Sequence, residues 1–168
     1  MSSYTVRRAR TSDVKHIRNL VRPLAEGRVL LEKEAVAYYE NLQEFFVAED
    51  SQGNVIGCGG LHVMWEDIAE VRTLATDGAW RGQGVGHQIL DRLLLEAQEL
   101  GVSRVFCLTF EVDFFVRHGF GVMEEQSAVD PEVYSELLRS TDEGVAEFLD
   151  LARVKPNTLG NTRMIIRF

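Results

Sequence analysis

The chain has 168 residues, the usual size of one domain, with 45% hydrophobic and 26% charged residues. This composition excludes collagen-like and disordered proteins. The formal net charge of −8 argues against a broad basic surface for nucleic acid or anionic membranes, although a local group of cations can still hold a small anion. We therefore expect a single domain over residues 1–168, without a nucleic-acid or membrane partner.

The N-terminal residues and the two cysteines indicate in which cellular compartment the protein is expected. Residues 1–8 lack the apolar core of a signal peptide, and no apolar run is long enough to span a bilayer. Cys58 and Cys107 lie in apolar stretches, with no second Cys or His at metal-ligand spacing. The sequence thus predicts two buried free thiols, no metal site and a cytoplasmic location.

The first half of the chain is rich in strands. We predict a strand over 4–8, then a helix that begins at 11–13 and is broken by Pro23 and Gly27. A second short helix over 34–44 follows, and then strands over 45–48 and 55–64. The turn residues at 51–54, Ser-Gln-Gly-Asn, predict that these two strands form an antiparallel hairpin.

The second half contains the strongest helical pattern. A strand over 70–75 leads to a helix over 84–100, whose apolar residues follow helical spacing and which Gly101 ends. The remaining predicted elements are a strand over 103–109, a helix over 112–118, a strand over 120–123, two helical patterns within 131–151 and a strand over 162–168. This order predicts one mixed α/β domain.

A glycine-rich loop, Arg81-Gly82-Gln83-Gly84-Val85-Gly86-His87, opens the long helix. Its glycines allow close backbone approach, the amides of the helix N-terminus favour an anion, and Arg81 suits phosphate. The alternating glycines do not fit the G-x-G-x-x-G pattern, and His87-Gln88 replaces the Lys-Ser/Thr of a P-loop. The loop therefore predicts a pyrophosphate site, with a plain turn as the alternative.

Residues 81–86 resemble the R/Q-x-x-G-x-G/A signature of the GNAT acetyltransferase superfamily. The segment 6–13, Val-Arg-Arg-Ala followed by Asp13, is similar to that family's opening. The resemblance implies the α/β GNAT fold, a mixed and mostly antiparallel sheet with helices on both faces, whose splayed central strands hold acetyl-CoA. The implied acetyl-CoA-binding residues are Leu74, Ala75, Thr76, Arg81, Gly82, Gln83, Gly84, Val85, Gly86, His87 and Phe114.

A narrower resemblance, to the acetyltransferase domain of N-acetylglutamate synthases, runs over most of the chain. It rests on segments that include 21–24 (Val-Arg-Pro-Leu), 56–58, 70–75, 108–109, 114–115, 155–157 and 162–166. It implies transfer of an acetyl group from acetyl-CoA to the α-amino group of L-glutamate, the first step of arginine biosynthesis. The chain resembles the short, stand-alone type without an amino-acid-kinase domain, which leaves arginine inhibition open.

Acetyl transfer to an amine needs a base for the ammonium proton and a proton for the departing thiolate. The resemblance implies that Glu70 is the general base, and a solvated carboxylate at a strand edge is the alternative. Residues 114–120 contain no tyrosine to act as the acid. Thr109 takes the place of a Ser/Thr hydroxyl that similar synthases use near the sulfur; the alternatives are a threonine bonded only to backbone and a bound water as the acid.

Glutamate carries two carboxylates, so two separated cations are expected near the acceptor. The candidates are Lys33, Arg72, Lys155 and Arg163, of which we expect two to bind substrate and the others to be solvated surface charges. Arg72 lies two residues after Glu70 and thus on the same strand face. The open alternatives are the same fold with another acceptor (glutamine, another amino acid, a polyamine or a protein amine) and a non-catalytic acyl-CoA-binding module. A homodimer is also left open.

Overall fold

The computed structural model describes residues 3–27, 33–123, 130–142, 145, 148 and 161–168. Short 3-10 turns at Thr11–Asp13, Leu42–Glu44 and Gly78–Trp80 join the main elements. In chain order, these elements are β1 (Tyr4–Arg8), α1 (Val14–Glu26), α2 (Ala35–Glu40), β2 (Phe45–Asp50), β3 (Val55–Trp65), β4 (Ile68–Thr76), α3 (Val85–Leu100), β5 (Arg104–Thr109), α4 (Val112–Arg117), β6 (Gly121–Val122), α5 (Pro131–Leu137) and β7 (Thr162–Arg167).

The strands form a seven-stranded sheet in the order β1-β2-β3-β4-β5-β7-β6. The predicted hairpin is confirmed, because β2 pairs antiparallel with β3, with one register shift between Ala48 and Glu49. The last strand of the chain, β7, lies between β5 and β6 and is antiparallel to both. The expected mixed α/β class is confirmed.

The chain comprises two compact units. The first contains residues 1–62 and 71–101, and the second residues 63–70 and 102–168. In the first unit, α1 packs its buried face of Val14, Ile17 and Val21 into a cluster with Phe45 and Val47 of β2. In the second unit, the ring of Phe106 on β5 packs edge-on against that of Phe148, with a centroid distance of 5.1 Å.

Two helices end several residues away from their predicted ends. Pro23 lies inside α1, so the expectation that it breaks the helix is wrong; the helix ends at Glu26, before Gly27. Proline's fixed φ suits a helix, and in the last turn its missing N–H removes a single backbone bond. The helix predicted over 34–44 ends at Glu40 because Asn41 turns back, its side-chain Nδ2 donating to the carbonyl of Ala37 at 2.9 Å.

The remaining predicted elements are present, with ends shifted by one to a few residues. The strand predicted over 120–123 is limited to Gly121–Val122, and the strand predicted over 70–75 begins earlier, at Ile68. Of the helical pattern at 145–149, Val145 and Phe148 are described and both are helical and buried; its other residues lie outside the described part of the chain. Among the described residues, no helix is long and apolar enough to cross a membrane.

Candidate active site

The loop between β4 and α3 has the backbone that its glycines permit. Gly82 and Gly84 have φ angles of +78° and +80°, in the left-handed region that favours glycine. A Cβ atom on Gly82 would meet no other atom within 4 Å. Both glycines therefore permit the left-handed turn, and the space beside Gly82 is open to a ligand.

Three contacts hold this loop in place. Asp77 Oδ1 accepts a hydrogen bond from the Ala79 N–H at 2.8 Å. The Tyr4 hydroxyl donates to the carbonyl of Gln83 at 3.3 Å. The Tyr4 ring also meets Trp80 edge-on, with ring centroids 5.9 Å apart. The first strand of the chain thus fixes the loop from the side.

The first turn of α3 follows directly from this loop. The Gln88 N–H donates to the carbonyl of Gly84 at 3.0 Å and so begins the helical ladder. The amides of the three residues between them, 85–87, lie outside that ladder and, with the helix macrodipole, favour an anion. Arg81 is exposed at the edge of this turn. This donor set fits the pyrophosphate of acetyl-CoA.

Strand β4 contains a feature that the sequence did not reveal. Thr73 has a φ of +57°, the one positive φ outside glycine among the described residues. A left-handed conformation is unfavourable for a β-branched residue, so no sequence pattern predicts threonine there. Thr73 is buried, and the next three residues, 74–76, are among those predicted to bind acetyl-CoA.

Glu70 is buried in the second unit, with only 5% of its surface exposed. The alternative of a solvated carboxylate at a strand edge is therefore wrong. Burial raises the pKa of the Cys107 thiol on β5, and the nearby Glu70 carboxylate raises it further. Carboxylates are among the side chains that enzymes use as general bases, so the buried Glu70 is compatible with that role.

Two other predicted residues lie at the end of β5 and on α4. Thr109 is buried, and its Oγ1 accepts a hydrogen bond from the Glu111 N–H at 2.8 Å. A hydroxyl that accepts in this way keeps its own hydrogen as a donor, so the contact is compatible with both interpretations of Thr109. Phe114 is half-buried and packs against Phe115 and His118, at centroid distances of 5.2 Å for each.

A cationic pocket lies in the first unit. Lys33 lines it together with Arg18 and Arg22, which stand one turn apart on α1. The cavity measures about 60 Å³ and is completed by Val21, Ala25 and Tyr38. Lys33 was predicted from the sequence, whereas Arg18 and Arg22 were not. Their spacing of four residues was the signal that could have revealed them, because it places two cations on one stripe of the helix.

The other predicted cations have different settings. Arg72 is half-buried on β4. Arg163 donates from Nη2 to the carbonyl of Phe148 at 2.8 Å and lies 3.7 Å from the Met123 sulfur, so it also supports the packing of the second unit. Lys155 lies outside the described residues. In the described ranges, no group of three or more His, Cys, Asp and Glu side chains could hold a metal ion.

Comparison with known proteins identifies the family. A family model described as an acetyltransferase (GNAT) domain matches residues 41–122. The chain is 57% identical over 163 residues to an amino-acid acetyltransferase of Mycobacterium tuberculosis, covering 96% of this chain and 92% of that protein. This chain belongs to the GNAT acetyltransferases. The resemblance of residues 81–86 to the GNAT signature is thus confirmed.

Solved structures agree with this assignment. A crystal structure of a Mycobacterium tuberculosis protein in complex with CoA and NLQ matches with a TM-score of 0.91 and 56% identity, over 98% of this chain and 99% of that one. The N-acetylglutamate synthase of Neisseria gonorrhoeae, complexed with CoA and N-acetyl-glutamate, matches with a TM-score of 0.79 at 23% identity, over 99% of this chain and 35% of that one. The GNAT fold and an acetyl-CoA-dependent enzyme are confirmed.

Proposed function

We propose that this acetyltransferase transfers the acetyl group of acetyl-CoA to the α-amino group of an amino acid, and that this amino acid is L-glutamate. The observation that carries the proposal is the pocket in which Arg18, Arg22 and Lys33 come together. Three cations around a small cavity suit carboxylates and disfavour a polyamine, which would require acidic lining groups. The name of the Mycobacterium tuberculosis relative supports an amino-acid acceptor.

The donor is held by the loop at the start of α3. The amides of residues 85–87 and the Arg81 guanidinium would bind the pyrophosphate, and the backbone of Leu74, Ala75 and Thr76 would pair with the pantetheine arm. The left-handed glycines at 82 and 84 support this role, because they give the backbone a concave turn without side chains. Phe114 would contact the arm with its exposed part.

The chemistry needs three proton transfers, two from the substrate nitrogen and one to the departing thiolate. Glu70 would take a proton from the substrate ammonium, after which the neutral amine attacks the thioester carbonyl. A C–N bond forms, the C–S bond breaks, and the nitrogen releases its second proton to water. The thiolate leaves with a proton donated by a bound water or by the Thr109 hydroxyl, which water then reprotonates. The burial of Glu70 supports its role, because it holds the carboxylate inside the fold and away from bulk water, as a positioned general base requires.

One assay tests the acceptor. CoA-thiol release is followed with purified enzyme and acetyl-CoA, across the twenty amino acids and spermidine. We expect glutamate to give the highest kcat/KM. Robust release with another amine and none with glutamate would overturn the glutamate proposal. Acetyl-CoA binding without release for any of these amines would also overturn it and would mean that the acceptor is a compound outside the panel.

A further inference from the structure

The strained segment of β4 is in contact with a buried thiol. Thr73, with its φ of +57°, lies directly before the residues proposed to bind the pantetheine arm. A residue in this conformation persists only where its surroundings hold it. Its peptide groups also depart from extended geometry, so neighbouring groups must satisfy their hydrogen bonds within a buried part of the sheet.

Cys58 on β3 provides such a contact. Its Sγ donates a hydrogen bond to the Thr73 carbonyl at 3.4 Å, and Cys58 is fully buried. Burial raises the pKa of this thiol to about 12, while the backbone N–H of Ala75, hydrogen-bonded to the sulfur, acts in the opposite direction. The thiol is therefore neutral at physiological pH and keeps the proton that it donates.

We propose that Cys58 is a positioning residue for acetyl-CoA: its thiol holds the left-handed Thr73 peptide, and so fixes the backbone of Leu74 to Thr76 in the conformation that binds the pantetheine arm. The inference rests on the proposed role of these three residues. Any small apolar side chain would fill the same space in the core, but only a donor can hold the Thr73 carbonyl. The contribution of Cys58 is thus separable from packing.

Three variants separate the hydrogen bond from packing. Cys58→Ala removes the donor, and Cys58→Ser keeps a donor in a side chain of nearly the same small size. Val47→Ala is the matched control, because Val47 is buried in the same cluster and lies directly opposite Cys58 on β2. CoA affinity is measured by calorimetric titration and stability by Tm. Exchange of the Leu74 amide hydrogen, which belongs to the same peptide group as the Thr73 carbonyl, reports on β4 itself.

We expect Cys58→Ala to raise the Kd for CoA roughly fivefold and to speed exchange at Leu74, since a lost net hydrogen bond has an effect of this order. Cys58→Ser should stay within about twofold of the wild type in Kd. Val47→Ala should lower Tm at least as much as Cys58→Ala, because it deletes more buried atoms, yet leave CoA affinity unchanged.

Wild-type affinity in Cys58→Ala, equal weakening in the serine and alanine variants, or the same weakening in Val47→Ala would each overturn the proposal. If Cys58→Ala does not fold, Cys58→Val replaces it in the comparison. Valine has no hydrogen-bond donor in its side chain, and it fills the space that the thiol occupies in the core. Each measurement uses either the protein alone or the protein with CoA, and none uses an acceptor amino acid. A wrong acceptor would therefore appear in the amino-acid panel and leave this test unaffected.

Discussion

Gly57 of β3 lies so close to Ile89 of α3 that a Cβ atom on the glycine would stand 2.8 Å from the Ile89 Cδ1. The Val85 Cγ1 would be equally close. Real Cβ atoms do not approach other atoms to this distance, so the absence of a side chain at 57 sets how near α3 packs to the sheet. Helix α3, whose N-terminus is the proposed pyrophosphate site, therefore packs in direct contact with β3.

Gly57→Ala should destabilise the protein by about 1–3 kcal/mol, the usual effect of overpacking a core. Gly78→Ala is the control, because a Cβ there would meet no atom within 4 Å and the residue has no positive φ. Urea denaturation measures both. We expect the Gly78 variant to remain within about 0.5 kcal/mol of the wild type. Equal stability in the two variants would contradict the close packing of α3 on β3.

Gly84→Asp should weaken CoA binding strongly, because it places a carboxylate at the N-terminus of α3, where the phosphates are proposed to lie. Gly84→Asn is the matched control, since asparagine has the same shape and also tolerates the left-handed backbone at this position. Calorimetric titration with CoA should show a larger loss for Asp than for Asn, and the difference should shrink at high salt. Equal affinities for the two variants would argue against a phosphate site at this turn.

Glu70→Gln should lower kcat by roughly 10²–10⁴, the range typical of general acid–base catalysis, with CoA affinity nearly unchanged. Glutamine has the same size as glutamate, so a packing defect cannot account for such a loss. Glu66→Gln, at an exposed position between β3 and β4, is the control. Steady-state kinetics at saturating acetyl-CoA measure the effect. A kcat near that of the wild type would exclude Glu70 as the base.

Lys33→Met and Arg22→Met should raise the KM for glutamate by roughly tenfold to a hundredfold, because each removes one charge-assisted contact worth about 1.5–3 kcal/mol. Lys15→Met, an exposed position on α1 outside the pocket, is the control. Kinetics with glutamate and glutamine distinguish the two carboxylates. A larger effect on glutamate places the residue at the side-chain carboxylate, and parallel effects place it at the α-carboxylate. An unchanged KM in both variants would argue that the pocket does not bind the acceptor.

The sequence by itself determined the order of the elements and the loop that begins α3. Both are local properties: apolar spacing defines the helix over 85–100, and the left-handed backbone at Gly82 and Gly84 is one that glycine adopts readily. The GNAT signature lies within that loop, so it could be read without knowledge of distant contacts. The resemblance to N-acetylglutamate synthases then supplied Glu70 and Lys33, which local patterns alone do not single out.

Tertiary structure decided the features that depend on residues far apart in the chain. The burial of Glu70 and the grouping of Lys33 with Arg18 and Arg22 follow from how strands and helices pack. From the sequence alone, a charged residue is expected at the surface, so neither feature could be predicted from local patterns. The strained Thr73 and its hydrogen bond from Cys58 could not be predicted for the same reason. Threonine disfavours that backbone conformation by itself, so only the contacts of the folded sheet can impose it.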